Sequence, residues 1–383
     1  MKQMTSRERV LAAINHKEPD RVPNFLGGAG AASIHLLLYD KLKQLLGIHC
    51  DSHVLSKAMQ YAKLDIKTLD CLSGDVFPIY AGGAPSMLGK DISQQSYIDG
   101  WGVLWQLDPS GLYYFPSYSD MPLKDVDIDG ISRYPWPETT HPSRFKGLKE
   151  QFKKLRSETD FAISGSVGTC LCEQIYHMRG LENFMIDLMQ NQEFVIVLLR
   201  KITDLMIAAI KNFLHEVKDY IDIFIMGDDM GSQDSLLLSP QIYRTLIKPF
   251  HAEIISSIKS NSRAKVFFHS CGNIYPLISD LIEIGVDILN PIQVSASDMG
   301  DTKRLKAEFG HALTFCGAID TQNVLPFGTP DKVRAEVRQR IRDLAPGGGY
   351  LCAGVHCIQP DVPLENVLAM VDELKSSGIY PIG

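Results

Sequence analysis

The chain has 383 residues, 45% hydrophobic and 22% charged, with a formal charge of −7. No block of like charges marks a nucleic-acid binder, and no stretch approaches the roughly 18 apolar residues that would span a membrane. The opening MKQMTSRERV has no apolar signal core, so a cytoplasmic enzyme is expected, its eight cysteines reduced or metal-bound.

The first predicted element is a helix. Thr5 and Glu8 form a capping box ahead of the stripe Val10, Leu11 and Ile14. The loop KEPDRVPNF follows, and Ser33–Leu46 reads as a second amphipathic helix closed by Gly47. Residues 68–140 are less regular, with a short strand expected at Gly111–Phe115 and with Trp101, Trp105, Tyr113 and Tyr114 as candidate lining of an apolar substrate cavity or as plain core.

From about residue 143 helices and apolar strands alternate. The predicted strands are Phe161–Gly165, Asp222–Met226, Ala264–Phe268, Asp287–Asn290, Leu313–Cys316 and Tyr350–Ala353. Helices are expected at Ser143–Glu158, Leu181–Val217, Pro240–Ser260, Pro276–Ile284, Thr302–Phe309, Pro330–Leu344 and Pro363–Ser376. Short strands that are apolar on both faces belong to parallel sheets. Their number favours a closed (β/α)8 TIM barrel: one domain over residues 1–383, with a helical N-terminal extension at 1–60 and the barrel at 61–383. No G-x-G-x-x-G follows a strand, so a nucleotide fold lacks support.

A barrel keeps its chemistry at the C-terminal ends of its strands. Those ends here read GDDMGSQ, HSCG, NPIQ, GAID and GVHC. His269-x-Cys271 is the sharpest signal, since imidazole and thiolate together suit zinc and Gly272 permits the bend that aims both inward. A further donor is needed, and His356 and Cys357 are the candidates. Asp228 and Asp229 read equally as a general base, a polar anchor or a ligand, or as a helix cap or surface pair. Glu173 begins a helical run, where a solvated carboxylate is the plainer reading and a catalytic one the alternative. Asn290, Gln293 and Gly317 lie on the same rim as candidate cofactor-binding positions. Cys170, Cys172, Cys316 and Cys352 read as core thiols.

These residues carry a resemblance. The stretch His356 to Val367, HCIQPDVPLENV, resembles the H-x-I-x-P-x-x-P-x-E-N ending of the uroporphyrinogen decarboxylase superfamily. TSRERVLAAINHKEPDRVP, WGVLW, RYPWP, GDDMGSQ, FFHSCGNIYPLI and GAIDTQNVLPFGTP are similar to one branch of it, the corrinoid-linked methyltransferases. The metal-free decarboxylases hold their acidic substrate with an N-terminal arginine-rich segment. The matching stretch here, PNFLGGAGAAS, has no arginine, and only Asp75 echoes the decarboxylase aspartate.

The methyltransferase branch implies Zn2+ held by H-x-C and a late cysteine, a corrinoid on a partner protein, and a small methyl donor or acceptor. His269 and Cys271 match, while the late cysteine falls on His356 with Cys357 one place on. Either His356 replaces the thiolate or a one-residue shift brings in Cys357. With fewer thiolates the resemblance implies demethylation of a small molecule such as a methoxylated aromatic, Asp229, Glu173 or Asp228 serving as acid–base groups. The rivals are methyl transfer from a methylcorrinoid to a thiol, a metal-free lyase, and a non-catalytic corrinoid-binding barrel.

Overall fold

The computed structural model describes residues 3–87, 89–168 and 170–382. Seven parallel strands form one curled sheet: β1 (Val76–Tyr80), β2 (Ala162–Ser166), β3 (Ile223–Gly227), β4 (Lys265–His269), β5 (Ile288–Ile292), β6 (Thr314–Ile319) and β7 (Tyr350–Gly354), adjacent in chain order. Helices separate successive strands from β2 onward, which gives the expected α/β barrel. The gap between β7 and β1 is bridged by residues 23–25. Phe25 N donates to the Cys352 carbonyl (2.8 Å), Cys352 N to that of Pro23 (2.9 Å), and Asp75 N to that of Asn24 (2.9 Å). The barrel wall therefore draws on the stretch before residue 61 that the sequence assigned to a helical extension.

The strands are buried on both faces, as their apolar runs require. Val76, Ala162, Ile223, Phe267, Ile288, Cys316 and Leu351 fill the barrel interior, where Phe25 stacks on Phe267 with ring centroids 5.2 Å apart. The first helix, Ser6–Ile14, has its Thr5–Glu8 capping box and turns Val10, Ala13 and Ile14 into the same cluster. It closes the end of the barrel where the strands begin; Arg7 N bonds to the Asp160 carbonyl just before β2, and Gly349 N to that of Ala13 just before β7. Each large apolar side chain enclosed in this way stabilises the fold by about 1.5–3 kcal/mol.

Several predicted elements differ in detail. The expected helix Leu181–Val217 is two helices, Leu181–Gln190 and Gln192–Val217, because Asn191 leaves the helical region (φ −143°, ψ 56°). The region Pro240–Asn261 contains a wide π turn at Tyr243–Ile247 before Pro249, whose ring cannot donate to the regular helical ladder. The strand expected at Gly111–Phe115 forms at Tyr114–Pro116, in a four-stranded antiparallel sheet outside the barrel. All eight cysteines are free thiols. No helix among the described residues is long and apolar enough to cross a membrane.

Candidate metal centre

The end of β4 builds the site. His269 is the last residue of that strand, in register with Gly227 of β3 and Asn290 of β5. A Cβ at Gly227 would stand 2.8 Å from that of His269, so glycine there makes room for the imidazole. Asn290 Oδ1 lies 2.6 Å from His269 Nδ1. Nδ1 therefore carries the proton and donates it, which leaves the Nε2 lone pair facing outward, the usual arrangement of a metal-binding histidine.

Beyond His269 the chain bends back. Gly272 has φ +86°, and a Cβ on it would collide with the Gly231 backbone at 2.4 Å. The bend is tied from three sides. Ser270 N donates to the Asn290 carbonyl (2.7 Å), Cys271 N to Asp229 Oδ1 (2.8 Å) and Gly272 N to Gln293 Oε1 (2.7 Å). Cys271 Sγ then lies 3.4 Å from His269 Nε2. From the far side, after β7, His356 brings its ring centroid to 5.6 Å from that of His269. One ligand atom from each of His269, Cys271 and His356 falls within 4.8 Å of the others.

The electrostatics agree with a cation-binding role. Burial, then the neighbouring His269, pushes His356 down to about 3, so its imidazole is neutral and able to ligate. Burial followed by the carboxylates of Asp229 and Glu173 pushes the Cys271 thiol well up. The charged groups that shift it are acidic, and a bound cation would offset both effects. Borderline-soft nitrogen and sulfur donors fit Zn2+.

Cys357, the rival third donor, is buried and its Sγ faces the Ile358 carbonyl at 3.8 Å, outside the cluster. Asp229 lies beside the centre, its Oδ1 3.9 Å from His269 Nε2. Glu173 stands on the helix Leu171–Arg179, and burial, then Asp229 and Asp228, raises its carboxyl to about 7. Asp228 does not present a free oxygen to the site. It is enclosed, accepting from Cys172 N (2.6 Å) and Glu173 N (2.8 Å) and pairing with His251 Nε2 (3.0 Å), so it anchors the helix that carries Glu173.

The three positions expected to bind a cofactor are engaged internally. Asn290 orients His269 and donates to the Cys316 carbonyl (3.3 Å). Gln293 holds Gly272 and Gln233. Gly317, at φ +111°, leaves space where a Cβ would stand 3.5 Å from the Asn290 amide nitrogen. Asp75, the echo of the decarboxylase aspartate, precedes β1 at the opposite end of the barrel, where it pairs with Arg9 and Arg21. Sequence reasoning missed Tyr61, whose hydroxyl is 3.3 Å from His356 Nε2; no motif joins residues so distant in the chain. Of the four aromatic residues considered for a cavity, Trp101 lines one of about 270 Å³ beside Glu173. Trp105 bonds Asp99, Tyr113 bonds Gln359, and Tyr114 packs edge-on against Tyr97.

The chain is similar to known proteins. Residues 116–377 match the uroporphyrinogen decarboxylase (URO-D) family. The methylcobamide:CoM methyltransferase MtaA of Methanosarcina barkeri is 27% identical over 154 residues, 39% of this chain and 40% of that protein. The methylated-thiol–coenzyme M methyltransferase of Methanosarcina mazei is 24% identical over 157 residues, 41% of this chain and 38% of that protein. The alignments thus span about two-fifths of either relative's length. A solved methyltransferase from Methanosarcina mazei superposes over 98% of this chain and 99% of its own, with a TM-score of 0.66 at 18% identity, and shares the fold.

Proposed function

Because the chain belongs to the uroporphyrinogen decarboxylase family, and its barrel mouth gathers two imidazoles and a thiol, we propose that it transfers a methyl group between a small molecule and a corrinoid carried by a partner protein. The observation that carries the reading is the convergence of His269, Cys271 and His356, with the first imidazole already oriented by Asn290. These three would hold Zn2+ and leave a coordination position open for substrate. When bound, the ion supplies Lewis acidity toward a substrate oxygen or sulfur.

The chain's own groups supply the rest. Asn290 fixes the tautomer of His269, and Asp229 holds the Cys271 backbone. Glu173, protonated up to about neutral pH, has a proton to give to an alkoxide or phenoxide as the methyl departs. Demethylation of a methylated donor, a methoxylated aromatic among them, is the direction this acid favours. The similarity to proteins named for methyl transfer to CoM favours a second direction, from methylcorrinoid to a thiol. There, ionised Glu173 or Asp229 would take the thiol proton.

The test combines metal analysis with two assays. Protein purified without chelator should hold about one zinc per chain, lost in His269→Ala and Cys271→Ala. It should methylate cob(I)alamin from a methoxylated aromatic, or demethylate methylcobalamin with a thiol. Absence of zinc together with decarboxylation of a tetrapyrrole would replace this reading with the metal-free lyase.

A further inference from the structure

Arg144 is 4% exposed and lines the 270 Å³ cavity that Glu173 also borders. Its Nε donates to the Gly82 carbonyl (3.0 Å), Nη1 to that of Thr139 (2.6 Å) and Nη2 to that of Val167 (2.8 Å). All three acceptors are neutral. The other deeply buried arginine, Arg9, is compensated by Asp20 and Asp75. Arg144 forms no such ion pair among the described residues, and burial without an acidic neighbour pushes its pKa down. A guanidinium carries five N–H groups, so each terminal nitrogen keeps one to spend.

A second donor points the same way. Gln174 lines the same cavity, and its Nε2 is buried with no partner among the described residues. Leaving a buried donor unmet is costly, and leaving a buried cation uncompensated is more so. The walls also carry Met87, Trp101, Leu205 and Met206, which would cover an apolar body. His177 on the same wall is held down to about 4 by burial and is neutral, so Arg144 is the cation there.

We propose that this cavity binds a small anion with an apolar body, its carboxylate or sulfonate received by Arg144 and Gln174. A volume near 270 Å³ suits a single-ring compound. That the anion is the methyl-carrying substrate rests on the function proposed above, since Glu173 borders both this cavity and the acidic surroundings of Cys271. The anion site itself does not depend on it.

The test is calorimetric titration of the whole protein, with and without its metal. The probes are 4-methoxybenzoate, 4-methoxybenzenesulfonate and the neutral 4-methoxybenzamide. At least one anion should bind about tenfold more tightly than the amide, the worth of a charge-assisted pair, and the two anionic arms identify the head group. The preference should shrink several-fold in Gln174→Leu, which breaks none of the bonds tying Arg144 to its loops, and vanish in Arg144→Gln. Equal binding of all three probes, no binding of any, or a preference unchanged in both variants would overturn the proposal. Because binding is read without metal, such a failure leaves the methyl-transfer reading standing. Anion preference in a protein that holds no zinc and moves no methyl would uphold the anion site and sink the other reading.

Discussion

His251 Nε2 lies 3.0 Å from the Asp228 carboxylate, with both side chains fully enclosed, and the same carboxylate receives the first amides of the helix bearing Glu173. A carboxylate at a helix N-terminus satisfies donors that have no partner within the helix and complements its dipole. Asp228→Ala would take from those amides and from His251 Nε2 the carboxylate they share. The expected cost is about 3 kcal/mol in chemical denaturation, with Glu173 displaced and turnover reduced beyond the folded fraction. A variant with unchanged midpoint and turnover would show that the anchor is dispensable.

At the proposed zinc site, the bond from His269 Nδ1 to Asn290 would act on metal affinity rather than on the fold. Removing the partner that orients a ligand histidine weakens metal affinity by about 10–100-fold. Asn290→Ala should therefore shift the zinc competition curve with a chromophoric chelator by that factor and leave the folded fraction largely intact. An unshifted curve would mean that His269 binds no metal, or that its tautomer is fixed elsewhere.

The choice between neighbouring donors after β7 is equally direct. His356 shares the cluster with His269 and Cys271, whereas the Cys357 sulfur turns to the Ile358 carbonyl. Zinc stoichiometry by elemental analysis should fall in His356→Ala and stay near wild type in Cys357→Ala. The reverse pattern would assign the thiolate.

What was legible in the sequence follows the same physics. The strands β2 to β7 were readable because each contains a short apolar run between predicted helices, the mark of a strand buried on both faces. β1 was not, since Pro78 interrupts VFPIY, and residues 23–25 join the wall through backbone bonds to Cys352 and Asp75 around Pro23, with no apolar run to mark them. His269-x-Cys271 announced itself through local spacing. Local spacing could not show that Asp228 and Gln293 face inward toward amides rather than outward toward a ligand, because one residue along a bend decides which way a side chain points. Arg144 and Gln174 had no motif at all; their meaning lies in what they fail to touch.

Glu173 makes the stability of the metal-free protein depend on pH. Its carboxyl rises from 4.5 to about 7 on folding, so between those values the folded state holds a proton that the unfolded state has released. Stability should decline as pH rises through that window, by about 3 kcal/mol, and be indifferent to this group below pH 4.5. Glu173→Gln carries no such penalty. The variant's advantage over wild type, from urea midpoints on chelated protein, should grow from about pH 4.5 to pH 7 and then level off. An advantage that is flat with pH would place the carboxyl in water.

Asp75 separates the two chemistries of the family. It lies where the strands begin, fully buried between Arg9 (2.7 Å) and Arg21 (2.7 Å), and also accepts from Asn24 N (2.8 Å). Those bonds hold the segment that closes the barrel between β7 and β1. Asp75→Ala would leave Arg21 without its carboxylate and Arg9 with Asp20 alone, and cost about 3–5 kcal/mol, lowering the thermal midpoint. Zinc content and methyl transfer per folded molecule should be preserved, because the site opens at the other end of the strands. If Asp75→Ala instead abolished turnover in a fully folded, zinc-loaded protein, the acidic group would belong to the chemistry and the metal centre would not.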